Sequence, residues 1–409
     1  MDMYHIVLIC HRKENQYYMI KIHRKEDCCG CGACSNVCKK KAIRMLPDDE
    51  GFSYPTVDNA LCNNCKQCET VCPFGHPNKP LLELSQVYTA KNKNDFLRRN
   101  SSSGGIFPLI ASWALDNRYS VIGVGFDKNW HAEHQLISDQ SHLPRLCRSK
   151  YTQSNTREIY VQVQAMLQKG EKVLFSGTPC QCSALRLFLK KNYDGLICVD
   201  IICHGVPSPK VWDKYLDEKC EEFNEQREDI IDVQFKIKDS SKGYVWRRPG
   251  FSIKWEDGTE FSSFGNKTSY ENGYLCNLFV RPSCHNCRVK NISSGSDITI
   301  GDYWGCNDIM PEFDDINGVS LVFLNTDKGK LLYTQVSDEV DSIRLTTQEA
   351  VYHNDRIVCS TKPHPNRKRF FLRLDERMDN VIPVLLHLTW SQKIIKKFKC
   401  IINKYFSIK

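Results

Sequence analysis

The 409-residue chain is 41% apolar and 25% charged, carries 22 cysteines and has a formal net charge of +8; that length allows two or three domains. Its longest apolar runs, Ile6–Cys10 and Val381–Leu386, fall far short of a bilayer span. Met1–Cys10 lacks the basic leading region and small-residue cleavage site of a secretory signal. A cytoplasmic protein with reduced, metal-binding thiols is therefore expected, not a secreted disulfide framework. Residues 362–409 hold 12 Lys/Arg against 3 Asp/Glu; the remainder is close to neutral, and nothing in this balance asks for nucleic acid as a partner.

In chain order, Met19-Ile20-Lys21-Ile22 reads as a short strand leading into a cysteine-rich loop. Met19 is the expected biological start, with residues 1–18 an upstream extension; a flexible N-terminal arm is the alternative. Two runs follow with the same spacing: Cys28, Cys31, Cys34, Cys38 and then Cys62, Cys65, Cys68, Cys72. Each is C-x2-C-x2-C-x3-C, the spacing of bacterial two-cluster ferredoxins, in which the fourth cysteine of each run ligates the other run's cluster. Three thiolates at this spacing wrap one face of a 4Fe–4S cube, and the fourth reaches across to its neighbour. Cluster one is thus expected on Cys28, Cys31, Cys34 and Cys72, and cluster two on Cys62, Cys65, Cys68 and Cys38. Zinc is the alternative for four-cysteine sites, disfavoured by two complete runs in tandem. Lys39 occupies a place where such runs usually carry proline, which Pro73 keeps in the second run. Between the runs, Ala42–Met45 and Tyr54–Val57 are predicted strands about the turn Pro47–Gly51, and Pro77 to Pro80 is a predicted linker.

Val87–Lys91 reads as a strand. Asn100-Ser101-Ser102-Ser103-Gly104-Gly105 then precedes a helical pattern over Ile106–Leu115. Free N–H groups at such a helix start suit a phosphate, although an ordinary cap gives the same sequence. Val121–Phe126 reads as a strand and His131 to Leu146 as a loop-rich segment. Arg148–Ser154 is a basic stretch with one aromatic, suited to gripping a phosphate or to lying solvated. Glu158–Gly170 is a predicted helix and Lys172–Ser176 a strand. Gly177–Gln181 is a tight turn before a helix over Cys182–Lys190, and Leu196–Ile202 is the next strand. Turns of this β–turn–α kind gather ligands in α/β sheets. Trp212–Glu222 is a predicted helix, residues 230–264 short antiparallel strands, Gly318–Asn325 a strand and Lys328–Val336 a helix. Ile394–Phe406 has an apolar stripe ringed by lysines; it suits either an anionic membrane surface or packing on its own domain.

Cys180 and Cys203 each follow a predicted strand, so a parallel sheet would bring both to one edge. Cys284 and Cys287 add a C-x-x-C hook. Together they have the count and softness for a third 4Fe–4S cluster, although buried free cysteines are common. Cys182, Cys198 and Cys306 are the nearest substitutes, and the remaining cysteines, Cys29 among them, read as structural.

Six short elements occur in order: Ser102-Ser103-Gly104-Gly105, Ser149-Lys150-Tyr151, Gly177-Thr178-Pro179-Cys180-Gln181, Cys203-His204-Gly205-Val206-Pro207-Ser208, Cys284-x-x-Cys287 and Ser296-Asp297-Ile298-Thr299-Ile300-Gly301-Asp302. With the leading cysteine runs, the chain resembles the beta subunit of coenzyme F420 hydrogenases/dehydrogenases in a form with a fused N-terminal two-cluster ferredoxin domain, over roughly residues 25–360. The resemblance implies FAD held in part by Ser103, Gly104, Gly105, Lys150, Tyr151 and Ser154. It also implies a core 4Fe–4S cluster on Cys180, Cys203, Cys284 and Cys287, and hydride exchange between a deazaflavin and FAD coupled to single-electron flow. The expected fold is an α+β ferredoxin-like module (19–80) followed by an α/β mixed-sheet flavin domain (85–175 and 176–361) and a basic amphipathic tail (362–409). No Ser/His/Asp triad or paired-carboxylate signature is present, and no G-x-G-x-x-G follows a strand to support a nicotinamide. His204 and Lys290 are the charged or titratable neighbours of the third site. A partner protein or a small hydride carrier completes the reading; a non-catalytic electron-transfer adaptor is the alternative.

Overall fold

A computed structural model describes residue 20, residues 22–265 and residues 268–386. The expected start at Met19 and the Ile394–Phe406 helix lie outside the described residues.

The N-terminal module pairs β1 (Ile43–Pro47) with β2 (Ser53–Val57) as an antiparallel hairpin, Met45 opposite Pro55. Asp48 builds the turn, its Oδ1 accepting from the amides of Glu50 and Phe52. The hairpin carries the two cysteine loops at its ends. Phe52, Val71 and Phe74 are buried beneath them.

The main body is an eight-stranded mixed sheet. Its strands are β3 (Gln86–Asn92), β4 (Tyr119–Phe126), β5 (Ala132–Ile137), β6 (Lys172–Gly177), β7 (Leu196–Ile201), β11 (Ile298–Asp302), β12 (Ser320–Leu324) and β13 (Val340–Leu345), in the order β13-β3-β12-β11-β7-β6-β4-β5. The inner strands β4, β6, β7 and β11 run parallel, and the outer pairings are antiparallel. Near-continuous apolar runs such as Val173–Phe175 and Leu196–Val199 fit strands covered on both faces. Helices Ile106–Asp116 and Asp327–Gln335 cover one face. Helices Ile159–Gln168 and Pro179–Leu189 cover the other, where Cys29, Ala33, Val71 and Phe74 of the N-terminal module join the same core.

The predicted antiparallel excursion is a separate sheet of β8 (Ile230–Ile237), β9 (Gly250–Trp255) and β10 (Glu260–Phe264). It packs on helix Pro209–Phe223 through an aromatic core of Trp212, Tyr215, Phe235, Phe251 and Tyr270.

The structure adds to or revises several expectations. The loop-rich segment 131–146 contains a strand: β5 pairs antiparallel with β4, Val124 opposite His134. Cys180 belongs to a helix, not to a turn before one. Thr178 and Gln181 form a capping box and Pro179 takes the first turn, so the helix starts at Pro179. The segment from 362 onward begins as packed structure: Phe370, Met378, Val381, Ile382 and Leu385 lie in the aromatic core. The 175/176 division also falls inside β6, in a sheet shared by both halves.

Polar contacts seat the module on the body. Arg367 makes a bidentate pair with Glu50 at 2.6–2.8 Å. Lys210 Nζ donates to the Asp49 carbonyl at 3.0 Å, Thr156 Oγ1 to Cys31 O at 2.9 Å, and Arg288 to Phe74 O and Asp27 at 2.6 Å each.

Candidate redox site

The cysteines of the two loops approach one another. Cys28 lies within electrostatic reach of Cys72, Cys31 of Cys34 and Cys72, and Cys34 of Cys28, Cys72 and Cys68. Cys38, from the first run, instead lines one small pocket with Cys62, Cys65 and Cys68 from the second. Gly32, with φ +75°, turns the chain into helix Ala33–Val37 between Cys31 and Cys38. Backbone amides already face sulfur: Gly30 N–H donates to Cys28 Sγ at 3.4 Å and Ala42 N–H to Cys38 Sγ at 3.3 Å. The first set is turned inward, with Cys31 and Cys34 buried; in the second set Cys65 is exposed.

Among the described residues, no three His, Cys, Asp or Glu side chains close on a point small enough for one metal ion. Each thiolate of a 4Fe–4S site binds a different iron, so the sulfurs stand further apart than around zinc.

The body brings a third set together. β6 leads into Cys180 and its parallel neighbour β7 into Cys203, so both reach the carboxyl end of the sheet. A one-turn 3-10 segment, Pro282–Asn286, presents Cys284 and Cys287 opposite them. Cys203 feels Cys284, Cys180 and Cys287, and both Cys284 and Cys287 feel Cys180. Burial pushes the Cys284 thiol up to about 12 and raises Cys203 as well. Four clustered, half-buried thiols are a poor anion site alone, and their chemistry would suit iron, which takes thiolates and releases their protons. The proposed substitutes lie elsewhere: Cys182 and Cys198 face one another under helix Pro179–Leu189, and Cys306 belongs to a different core.

Lys290 Nζ donates to the carbonyls of Cys203 (2.9 Å) and Arg356 (2.6 Å), which holds its charge behind Cys203 and Cys287. His204 Nε2 meets Asn277 Oδ1 at 2.7 Å and its ring packs edge-on to Tyr274. Burial pushes this imidazole down to about 4, so it is neutral at ordinary pH.

Sequence reasoning passed over two residues here. The buried thiol of Cys29 lies beside both Cys31 and Cys180, and so stands between the first set and the core set. The one available signal was its place directly after a ligand, in Cys28-Cys29-Gly30-Cys31. Arg281, fully buried, lies against the same seam; no spacing rule marks it.

Beside the core set opens a cavity of about 440 Å³. Its lining includes Ser103, Gly105, Lys150, Tyr151 and Ser154, and reaches Cys203 and His204. Gly104 lies behind the wall, where its amide donates to Ser320 Oγ at 2.9 Å. The serine loop is pinned by Lys238, whose Nζ donates to the carbonyls of Arg98, Ser103 and Asn317 at 2.6–2.7 Å. Ser149 N–H donates to Ser102 Oγ at 2.8 Å, which ties the serine loop to the Lys150 loop. Gly105, with φ +80°, caps helix Ile106–Asp116, so that helix's amino end faces the cavity. Burial pushes Lys150 down to about 8. Tyr151 packs against Tyr274 and Phe235 with ring centres 5.0 and 5.2 Å apart. Ser154 Oγ accepts from Gln181 Nε2 at 2.9 Å, a support for the wall as well as a lining group. Exposed Ile201, Leu275 and Trp304 rim the opening, Trp304 stacked on Trp246 at 5.0 Å. Hydroxyls, a helix amino end and a lysine beside an apolar slot are the donor set that a nucleotide carrying a flat ring requires.

A Cβ on Gly104 would stand 2.5 Å from Ala90 O and 2.8 Å from Ser320 N. Both obstacles are sheet backbone, so Gly104→Ala is expected to cost about 1–3 kcal/mol. Thermal unfolding of the anaerobic holoprotein measures this; unchanged stability would contradict the close packing of the loop on the sheet.

Residues 170–350 match the family defined by the C terminus of the coenzyme F420 hydrogenase/dehydrogenase beta subunit. Residues 27–76, spanning both cysteine runs, match a 4Fe-4S dicluster domain. The chain is 25% identical over 333 residues to an F(420)H(2) dehydrogenase subunit of Methanosarcina mazei, covering 77% of this chain and 83% of that one. Its cysteine module is 41% identical over 49 residues to an uncharacterized ferredoxin of Methanocaldococcus jannaschii, covering 12% of this chain and 62% of the ferredoxin. The F420-reducing [NiFe] hydrogenase complex of Methanosarcina barkeri, solved as a xenon derivative, contains a chain that aligns with TM-score 0.46 and 17% identity over 68% of this chain and 92% of its own. Among the described residues no helix is long and apolar enough to cross a membrane. The chain thus resembles coenzyme F420 hydrogenase/dehydrogenase beta subunits over residues 170–350, with a 4Fe-4S dicluster domain match ahead of that region.

Proposed function

We propose that this chain is an iron–sulfur flavoprotein oxidoreductase that passes electrons between a two-electron donor or acceptor and a one-electron partner. The reading assigns FAD to the cavity, a core 4Fe–4S cluster to Cys180, Cys203, Cys284 and Cys287, and two further clusters to the N-terminal module as assigned above. A flavin takes two electrons as hydride and releases them singly, and iron–sulfur clusters carry single electrons.

One observation carries the reading. The flavin candidate cavity reaches Cys203, and the thiol set that includes Cys203 meets the first module set through Cys29. The second module set ends at the surface at Cys65. This order of neighbours supports a reading in which electrons pass from the cavity through the core set and the first module set to the surface. In this reading Lys150 and the amino end of helix Ile106–Asp116 hold the flavin's phosphates, and Tyr151 bounds the ring pocket. Hydride transfer needs a stacked, oriented pair rather than an acid–base residue, and the apolar rim of Ile201, Leu275 and Trp304 suits a second flat ring. Coenzyme F420, for which the relatives are named, is the first candidate donor, and a reduced nicotinamide the second. The partner is a protein that receives single electrons at the Cys65 end.

Anaerobic titration of the holoprotein tests this. A reduced deazaflavin or reduced nicotinamide is expected to bleach the flavin absorbance and then reduce the clusters. If no such donor bleaches it and only a reduced ferredoxin does, the chain is an electron-transfer adaptor without a substrate of its own.

A further inference from the structure

Arg281 makes four side-chain hydrogen bonds and, among the described residues, pairs with no carboxylate. Its side chain is fully buried. Nε donates to Cys28 O at 2.9 Å, Nη1 to Gln153 Oε1 at 3.0 Å, and Nη2 to Ser53 O at 2.9 Å and to Cys28 Sγ at 3.7 Å. The guanidinium lies over the Tyr54 ring at 4.4 Å from its centre. Every hydrogen-bond partner is a neutral carbonyl, amide or thiol.

Burying an uncompensated cation is strongly unfavourable unless a negative charge sits close by. Thiols within reach of its charge can supply one. The Arg281 charge reaches Cys28 of the first module set and Cys180 and Cys284 of the core set. Arg281 also stands three residues before Cys284, whose amide donates to its carbonyl at 3.0 Å. The loop around it is built for close approach. Gly30 has φ +69°, and a Cβ there would lie 2.7–2.8 Å from the guanidinium. Gln153, which accepts from Arg281, also donates to Cys29 O at 3.1 Å. The cation therefore occupies the seam between two cysteine sets that belong to different parts of the fold.

We propose that Arg281 is a positioning residue and the shared internal counter-ion of cluster one and the core cluster, docking the ferredoxin-type module and raising the reduction potential of both clusters relative to cluster two. This rests on the three-cluster reading above. The physical basis is general. A reduced cluster is one charge more negative than an oxidised one, so a fixed neighbouring cation favours reduction, and hydrogen bonds to sulfur act in the same direction. Arginine suits the role because one planar fork serves two backbone carbonyls, an amide and a sulfur, while staying charged when buried. Cluster two, set on Cys38, Cys62, Cys65 and Cys68, makes no hydrogen bond with Arg281 among the described residues, so its potential is set by its own exposed surroundings.

An EPR-monitored redox titration of anaerobically purified full-length protein tests this with three variants. In Arg281→Met the two inner clusters are expected to titrate at lower potential, with the outer cluster unchanged. Arg281→Lys keeps the charge and is expected to restore most of the potential while weakening the docking. Gln153→Glu places a carboxylate against an intact guanidinium, and is expected to lower the same two potentials even where Arg281→Met fails to fold. Potentials that stay at wild-type values in iron-replete Arg281→Met or in Gln153→Glu overturn the proposal, as does an equal shift of all three clusters. A wild-type titration that resolves fewer than three clusters would instead overturn the underlying cofactor reading, and the two failures are thereby told apart.

Discussion

Serine in place of Cys203 is expected to remove about four of about twelve iron atoms per chain and to break the route between the cavity and the N-terminal module. Cys203 is the one member of the core set that also lines the cavity, so its loss affects both sides of that junction. The module's cysteines are separate residues on a separate hairpin, and their two clusters are expected to remain. A two-electron donor should still bleach the flavin of Cys203→Ser, while the module clusters stay oxidised on the timescale on which wild type reduces them. Rapid-mixing absorbance with EPR of freeze-quenched samples separates the two events. Wild-type rates of module reduction in this variant would mean that electrons do not pass through the core set.

The second large effect concerns Lys150. Its ammonium is held at the cavity wall by the carbonyls of Cys147 (2.6 Å) and Arg148 (3.4 Å), and burial pushes its pKa down to about 8. A bound phosphate favours the charged form and raises that pKa. Below about pH 8 the free protein already carries the proton, so FAD affinity is at its highest. Above it, binding must take up a proton, and affinity falls with rising pH until the pKa of the complex is passed. Lys150→Met removes the charge-assisted contact, which is expected to cost about 2–4 kcal/mol, roughly a 30- to 700-fold weaker Kd. The variant is also expected to lose the pH dependence. Fluorescence titration of the flavin-stripped protein on both sides of that pKa measures both; a Kd indistinguishable from wild type, or an unaltered pH profile, would remove Lys150 from the phosphate site.

Much of this arrangement was legible in the cysteine pattern, because ligand spacing is a geometric constraint written directly into sequence. The x3 gap before Cys38 and Cys72 predicts that each reaches toward the other run, and Cys72 lies near Cys34 while Cys38 shares a small pocket with Cys62, Cys65 and Cys68. Cys180 and Cys203 could be placed together because each follows a strand of apolar run, and adjacent parallel strands share an edge. Other parts left weaker traces. β5 reads Ala132-Glu133-His134-Gln135-Leu136-Ile137, an edge strand whose polar residues blur its alternation. Helix Met378–Leu386 has Pro383 inside it and follows a basic stretch. Averaged over the segment, charge hides the few apolar residues that join Tyr270 and Phe279 in the aromatic core.

Cys29 and Arg281 illustrate a different limit. Each owes its position to contacts between residues far apart in the chain: Cys29 with Cys180, and Arg281 with Cys28 and Ser53. A lone cysteine or arginine carries no period and no partner spacing, so its role emerges only when the module is seated on the body. The same holds for Lys238, which holds the serine loop through three backbone carbonyls. The Ser296–Asp302 element divides once the fold is in view. Asp297 is a staple, accepting from Arg186 at 2.7 Å and Cys198 N–H at 2.8 Å, whereas Asp302 lines the cavity and pairs with Lys236.

The most direct test of a single line of redox centres is their stoichiometry. Full-length protein purified under strict anaerobiosis, with iron, acid-labile sulfide and flavin quantified on the same sample, is predicted to contain about twelve iron, about twelve sulfide and about one FAD per chain. About eight iron with no flavin would leave only the N-terminal pair of clusters and contradict the account.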